Sequence, residues 1–312
     1  EGSFGAGVLG VAVLIDRQGN DHYLGTRWSQ GVGFLGLGLV VDGEGDDRYR
    51  VEALGQGVGA WGAGLLIDHY GNDRYDASRY GQGVGLAGGL GLLADRWGSD
   101  EYLCKGPWPS GYGTAGVFQS WGQGCGVGFR GNASGGLGFL FDGAGRDRYE
   151  AGNFSQGGGY YFGVGALWDR GVSEDVYIGS RYNQGFAAHQ AVGYFQDTGG
   201  DDEYWTRHAV ASGLAWDECV TSFSDLGGAD RYQGGSFSLG ASAHNSICLF
   251  HDADGADEYR WADLGHAGTN DYHGGTSLSW FLDEGGDDDL YAGPDRNGAQ
   301  QVGPENSLFR DR

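Results

Sequence analysis

The chain has 312 residues, 67 of them glycine and only 4 proline, with 14% aromatic residues and a formal net charge of −23. That balance excludes a collagen triplet and a proline-rich disordered tract, because so much ring surface has to be buried somewhere. Nineteen basic against 42 acidic residues argue against a nucleic-acid partner, and no run of 18 apolar residues offers a membrane span.

Taken in chain order, residues 5–10 (GAGVLG) align with residues 31–36 (GVGFLG), so the chain enters in mid-repeat. No capping segment precedes this point. An upstream segment, a protein partner or self-association is therefore expected to cover the N-terminal end. With Glu1 first and no methionine anywhere, the chain reads as a trimmed product of an exported protein, placed in the periplasm, at the cell surface or outside the cell.

From there one acidic turn, D-x-x-G-x-D-x-Y, recurs ten times. Its first aspartate falls at Asp16, Asp42, Asp68, Asp95, Asp142, Asp169, Asp197, Asp225, Asp252 and Asp283. Its second falls at Asp21, Asp47, Asp73, Asp100, Asp147, Asp175, Asp202, Asp230, Asp257 and Asp288. Most steps are 26 to 28 residues. Between turns, Q-G-x-G leads into alternating small and large apolar residues, as from Gln56 to Ile67, which is the pattern of strands joined by tight corners. A repeat of this length is one coil of a solenoid whose neighbours hydrogen-bond across about 4.8 Å. The predicted fold class is all-β, a parallel β-solenoid of about ten coils over residues 1–291, with residues 292–312 as a C-terminal cap or tail.

Stacking turns the sequence into columns. Gln30, Gln56, Gln82, Gln123, Gln156 and Gln184 form one, expected to bond amide to amide. Trp28, Leu54, Tyr80, Phe154 and Tyr182 form another, either core or a sugar-stacking stripe. The 47-residue step between Asp95 and Asp142 implies an inserted loop at about 103–122, bearing Pro107, Trp108, Pro109 and Trp121. Cys104 with Cys125, and Cys219 with Cys248, are placed to form two disulfide staples, buried free thiols being the alternative.

Ten turns in register stack like charges about 4.8 Å apart, which costs roughly 3 to 4 kcal/mol per contact at an effective dielectric near 20. Compensation is needed. The arginines of the D-R-Y copies, Arg48, Arg74, Arg148 and Arg231, supply some. Calcium suits the rest, because it takes six to eight oxygens from carboxylates and turn carbonyls. The alternative is a set of Asx-type turns with positive-φ glycines and stacked tyrosines.

Residues 42–50, DGEGDDRYR, resemble the repeats-in-toxin nonapeptide G-G-x-G-x-D-x-U-x, and residues 227–232 resemble it over a shorter span. The resemblance implies a secreted β-roll that binds calcium between turns. It covers about nine residues of each coil, and the longer step here means that coil shape and ion geometry do not transfer.

Counting back eight residues from the motif aspartate places His189, Asp217 and His244 in one column of consecutive coils, with His208, Glu218, His266 and His273 as further candidates nearby. Imidazole and carboxylate at that spacing suit a transition metal or general acid–base catalysis. Two functions follow as expectations. The first is a non-enzymatic, calcium-stabilised scaffold or binding protein; the alternative is a polysaccharide lyase or hydrolase with His189, Asp217 and His244 as its catalytic residues.

Overall fold

The computed structural model describes residues 4–261, 263–268, 274–286, 289–293, 296–303 and 306–312. Eleven strands, from Val11–Ile15 to Ser307–Asp311, stack in parallel as one long sheet. Ten strands, from His22–Ser29 to Leu290–Tyr291, stack as a second sheet, called here the tyrosine sheet. The third wall is built from strands of two or three residues, such as Gly33–Phe34 and Phe186–Ala188. The protein is thus an all-β parallel solenoid, and no helix among the described residues crosses the coils.

Side-chain alternation produces this cross-section. Leu90–Ala94 buries every second residue, as its equivalents in neighbouring coils do. From the tyrosine sheet, Tyr49, Tyr75, Tyr102, Tyr149, Tyr177, Tyr204, Tyr232 and Tyr259 point inward with no exposed surface. Their rings stack face to face with centroids 4.7–5.0 Å apart. Each such pair contributes about 0.5–1.5 kcal/mol beyond the area it buries. Opposite them the long sheet offers Val40, Leu66, Leu93, Leu140 and Leu167, and then Phe195, Phe223, Phe250, Phe281 and Phe309.

Glycine punctuates the acidic turn for reasons of space. A Cβ at Gly45 would land on the carbonyl oxygen of Gly19, and one at Gly255 on that of Gly228. Successive turns therefore nest backbone on backbone.

The solenoid extends beyond residue 291. Ser307–Asp311 joins the long sheet as an eleventh rung, and Gln300–Val302 folds back on it antiparallel. At the other end no described strand pairs with the outer edge of Val11–Ile15, and Leu9, Val11, Val13 and Ile15 are exposed.

The extra length between Asp95 and Asp142 is two excursions rather than the single loop expected at 103–122. The first, residues 105–118, closes with a Pro109–Phe118 bridge, and the second turns at the Phe129–Ala133 bridge. The first folds down onto the coil: Ser110 accepts from Asn153 Nδ2 at 2.8 Å, and the ring of Tyr112 sits 6.2 Å from Phe154 and 5.9 Å from Tyr182.

No disulfide forms; all four cysteines are free and buried. Cys104 packs with Val51, Ala77 and Ala151, whereas Cys125 belongs to the separate cluster of Val84 and Val127. Cys219 and Cys248 share a pocket of small residues with Ala187, Ala191 and Ala215. Burial pushes the thiols of Cys104, Cys219 and Cys248 up to about 12, the state of inert core thiols.

Candidate cation ladder and a histidine–aspartate corner

The acidic turn connects the long sheet to the tyrosine sheet, and register fixes what each aspartate meets. In most coils the first aspartate caps its own turn through Oδ1, as where Gly43 N donates to Asp42 at 2.7 Å and Gly171 N to Asp169 at 3.0 Å, whereas Oδ1 of Asp68, Asp252 and Asp283 is buried without a partner among the described residues. Its Oδ2 accepts the phenol of the preceding coil: Tyr49 donates to Asp68 at 2.7 Å, Tyr75 to Asp95 at 2.6 Å and Tyr149 to Asp169 at 2.7 Å. The second aspartate accepts, on Oδ1, the backbone N–H of the second aspartate one coil earlier. Asp47 N donates to Asp73, and Asp73 N to Asp100, each at 2.6 Å.

On the second aspartates a row of carboxylate oxygens is left over. Oδ2 of Asp47, Asp73, Asp100, Asp147, Asp175, Asp202 and Asp257 is buried without a hydrogen-bond partner. Each residue is at most 3% exposed. These oxygens point at the neighbouring first aspartates. Asp42, Asp47 and Asp68 bring carboxylate oxygens within 4.8 Å of one another, as do Asp100, Asp142 and Asp147, and Asp175, Asp197 and Asp202. Three carboxylates recur per interval.

The D-R-Y arginines do not offset this charge, contrary to expectation. They alternate to the outer face of the tyrosine sheet, where Arg48 is exposed and the other three pair with glutamates, Arg74 with Glu101, Arg148 with Glu150 and Arg231 with Glu203. Nor do the glutamines bond amide to amide. Nε2 of Gln30 donates to the carbonyls of Tyr23 and Arg50, and Nε2 of Gln82 to those of Tyr75 and Leu103, stitching coils through the backbone.

Desolvation, reinforced by neighbouring carboxylates, raises many of these acids. Asp73 rises from 3.8 to about 9, Asp147 and Asp202 to about 8, and Asp100, Asp175 and Asp230 to about 10. Asp142, Asp197 and Asp252 are also pushed well above the ordinary carboxylate range. With nothing between them, burial and mutual repulsion favour the protonated form of these raised aspartates. The donor set fits a hard divalent cation: it is all oxygen and anionic, with no thiolate or imidazole among the grouped aspartates. The carboxylates of each interval, two from one coil and one from the next or the reverse, would hold such an ion and compensate its charge.

The structure aligns the predicted aspartates from Asp16 and Asp21 through Asp283 in two continuous columns, with the first coil half-buried. Asp288 lies outside the described residues. Asp289 fills the last second-aspartate position, accepting from Asp257 N at 2.7 Å. Asp311, unnoticed in the sequence, is an eleventh first aspartate and accepts from Tyr291 at 2.5 Å. The repeated F-x-D of residues 250–252, 281–283 and 309–311 is the signal that would have found it.

The histidine column is real in register. His189 N donates to Trp216 O, and Asp217 N to Ala243 O, which sets His189, Asp217 and His244 at equivalent corner positions. His189 Nδ1 meets Asp217 Oδ2 directly. Gln190 donates to Glu218 at 2.9 Å in the adjoining column, and His244 packs against Trp216 at 4.5 Å. All six corner residues, 189–190, 217–218 and 244–245, have left-handed backbone. Further back the column slips by one residue: Tyr161 matches His189, but Val8, Phe34 and Ala60 align with Tyr160 instead. His266 pairs with Asp263 and His208 precedes the strand Leu214–Trp216, at the opposite end from Asp217. His273 lies outside the described residues.

Fold and site together define a parallel β-solenoid with an internal carboxylate ladder. The chain has no match among protein-family models, curated proteins or solved structures.

Proposed function

We propose that the protein is a calcium-stabilised, non-enzymatic solenoid that works outside the cytoplasm as a structural or binding scaffold. The observation that carries this reading is the row of buried, unpartnered Oδ2 atoms from Asp47 to Asp257. A buried unpaired carboxylate is costly, so each interval needs a cation or a proton. Calcium offers the hard, charge-dense partner that three carboxylates favour, and at extracellular levels it is abundant enough to fill sites of modest affinity. The ions would serve as fasteners between coils, leaving the outer faces to display ligands or partners.

The test is a calcium titration of chelated protein at pH 8, with bound metal counted by atomic spectroscopy. Several ions per chain with a rising melting temperature are expected. No bound calcium at millimolar concentration would remove the ion and leave proton-sharing between aspartates as the solution.

The contact between His189 and Asp217 favours a second, separate reading, in which a carboxylate-oriented imidazole acts as general base on a polysaccharide. That reading requires a cleaving activity that His189→Ala and His244→Ala abolish while melting temperature is kept. Activity surviving both changes would end it.

A further inference from the structure

The aromatic column beside the tyrosine sheet is filled along part of its length and interrupted elsewhere. In the middle coils Trp121, Phe154 and Tyr182 stack at 3.9 and 4.9 Å. Tyr112 from the first excursion roofs them, with the Arg181 guanidinium 5.3 Å from its ring. Here the chain shows what this column accepts: a ring laid on aromatic edges beside a guanidinium.

Among the first coils the same column reads Trp28, Leu54, Tyr80, all three in left-handed backbone. Leucine stands where a ring is the rule. The neighbouring column reads Arg27, Ala53, Arg79 in direct register. Two coil steps, about 9.6 Å, separate the flanking rungs, which is twice a stacking distance, so one inserted ring reaches both walls. The result is an open groove of about 350 Å³ floored by Ala53 and Leu54, with Phe34 and Trp61 on its far side.

The second interruption of the repeat lines this groove, and the first packs on the arginine that borders it. Trp108 of the first excursion lies 4.0 Å from the Arg79 guanidinium, which Tyr80 flanks at 4.9 Å, and Phe129 of the second lines the wall. Arg27 is paired with Glu52 at 3.3 Å, but Arg79 has no carboxylate partner among the described residues. Its Nε and the Nε1 of Trp108 are buried donors without acceptors. In a chain of charge −23, a clamped arginine left unpaired is a local positive point facing an apolar floor.

We propose that this slot binds a uronic-acid residue of an acidic polysaccharide. A pyranose has an apolar face for the Trp28–Tyr80 walls, and its carboxylate pairs with the Arg79 guanidinium. The proposal is independent of the calcium ladder, which lies inside the coils.

The probe is a galacturonic-acid trimer, titrated by calorimetry into the whole chain at one fixed calcium level. A neutral galactose trimer and 2-naphthoate run in parallel. Binding of the acidic trimer is expected, with the neutral trimer weaker by about tenfold or more, and Arg79→Gln costing a similar factor. Leu54→Trp completes the ring ladder and should abolish binding while holding the melting temperature, so loss of binding there is not loss of fold. No binding of the acidic trimer, equal binding of the neutral one, tighter binding of naphthoate, or unchanged binding by Leu54→Trp would each overturn the proposal.

Discussion

Protons and calcium make opposite demands on the same carboxylates, and that opposition gives the sharpest test of the ladder. Unfolded, these aspartates titrate near 3.8; folded without a cation, Asp73 holds its proton up to about 9 and Asp147 and Asp202 up to about 8. Between those limits the folded state binds more protons, so chelated protein is most stable below about pH 4 and loses that stability as pH rises towards 8 or 9. Each retained proton contributes a slope of about 1.4 kcal/mol per pH unit. Calcium reverses the trend, because ions load only as protons leave. One ion at a hundred times its dissociation constant contributes about 2.7 kcal/mol, or several degrees of melting temperature in a chain of this size. Melting curves at pH 5 and pH 8, with chelator or with calcium, form the assay. The chelated protein should melt higher at pH 5 and the calcium form should gain far more at pH 8. A chelated protein whose melting temperature ignores pH between 4 and 9 would refute the buried-carboxylate reasoning. A pH response without calcium rescue would refute the ion.

Three further outcomes follow from single residues. Asp175→Asn keeps an acceptor for Asp147 N but removes one charge; it should lower the calcium count by one or two and the calcium-dependent stability by about 2–3 kcal/mol. The same variant should be neutral or stabilising in chelator at pH 8, as differential scanning fluorimetry would register. Gly45→Ala forces a methyl group onto Gly19 O and should cost about 3 kcal/mol in denaturant titrations; a loss under 1 kcal/mol would mean that the turns do not nest as described. A thiol reagent without reductant should find no fast-reacting cysteine in the native protein and four in denaturant, whereas two or none in denaturant would restore the disulfides.

Much of the architecture was legible because the repeat is. A step of 26 to 28 residues with alternating apolar residues leaves few options other than a parallel solenoid, and the aspartate and tyrosine columns follow from register alone. What sequence spacing did not convey was direction. Arg74 and Asp73 are adjacent in the chain, yet strand alternation sends one outward to Glu101 and the other inward, so the expected neutralisation fails. The glutamines reach backbone carbonyls because their left-handed conformation turns each amide into the corner. Asp311 escaped notice because it lacks the glycine turn and keeps only its strand, Ser307–Asp311. The histidine corner was found by counting, although the same count misaligns the first three coils by one residue.

The tyrosine phenol reaches the aspartate of the next coil, in some coils as well as its own, and this makes the rungs interdependent in time as well as in space. A coil that has folded alone lacks the inter-coil phenol–carboxylate bond and the stacked ring on either side, so an isolated repeat is a poor nucleus. Each rung's phenol and carboxylate are thus satisfied only when its neighbour is in place. Growth of the fold should then proceed as a zipper that tightens each tooth only when the following one arrives, with unfolding that peels from an end instead of opening in the middle.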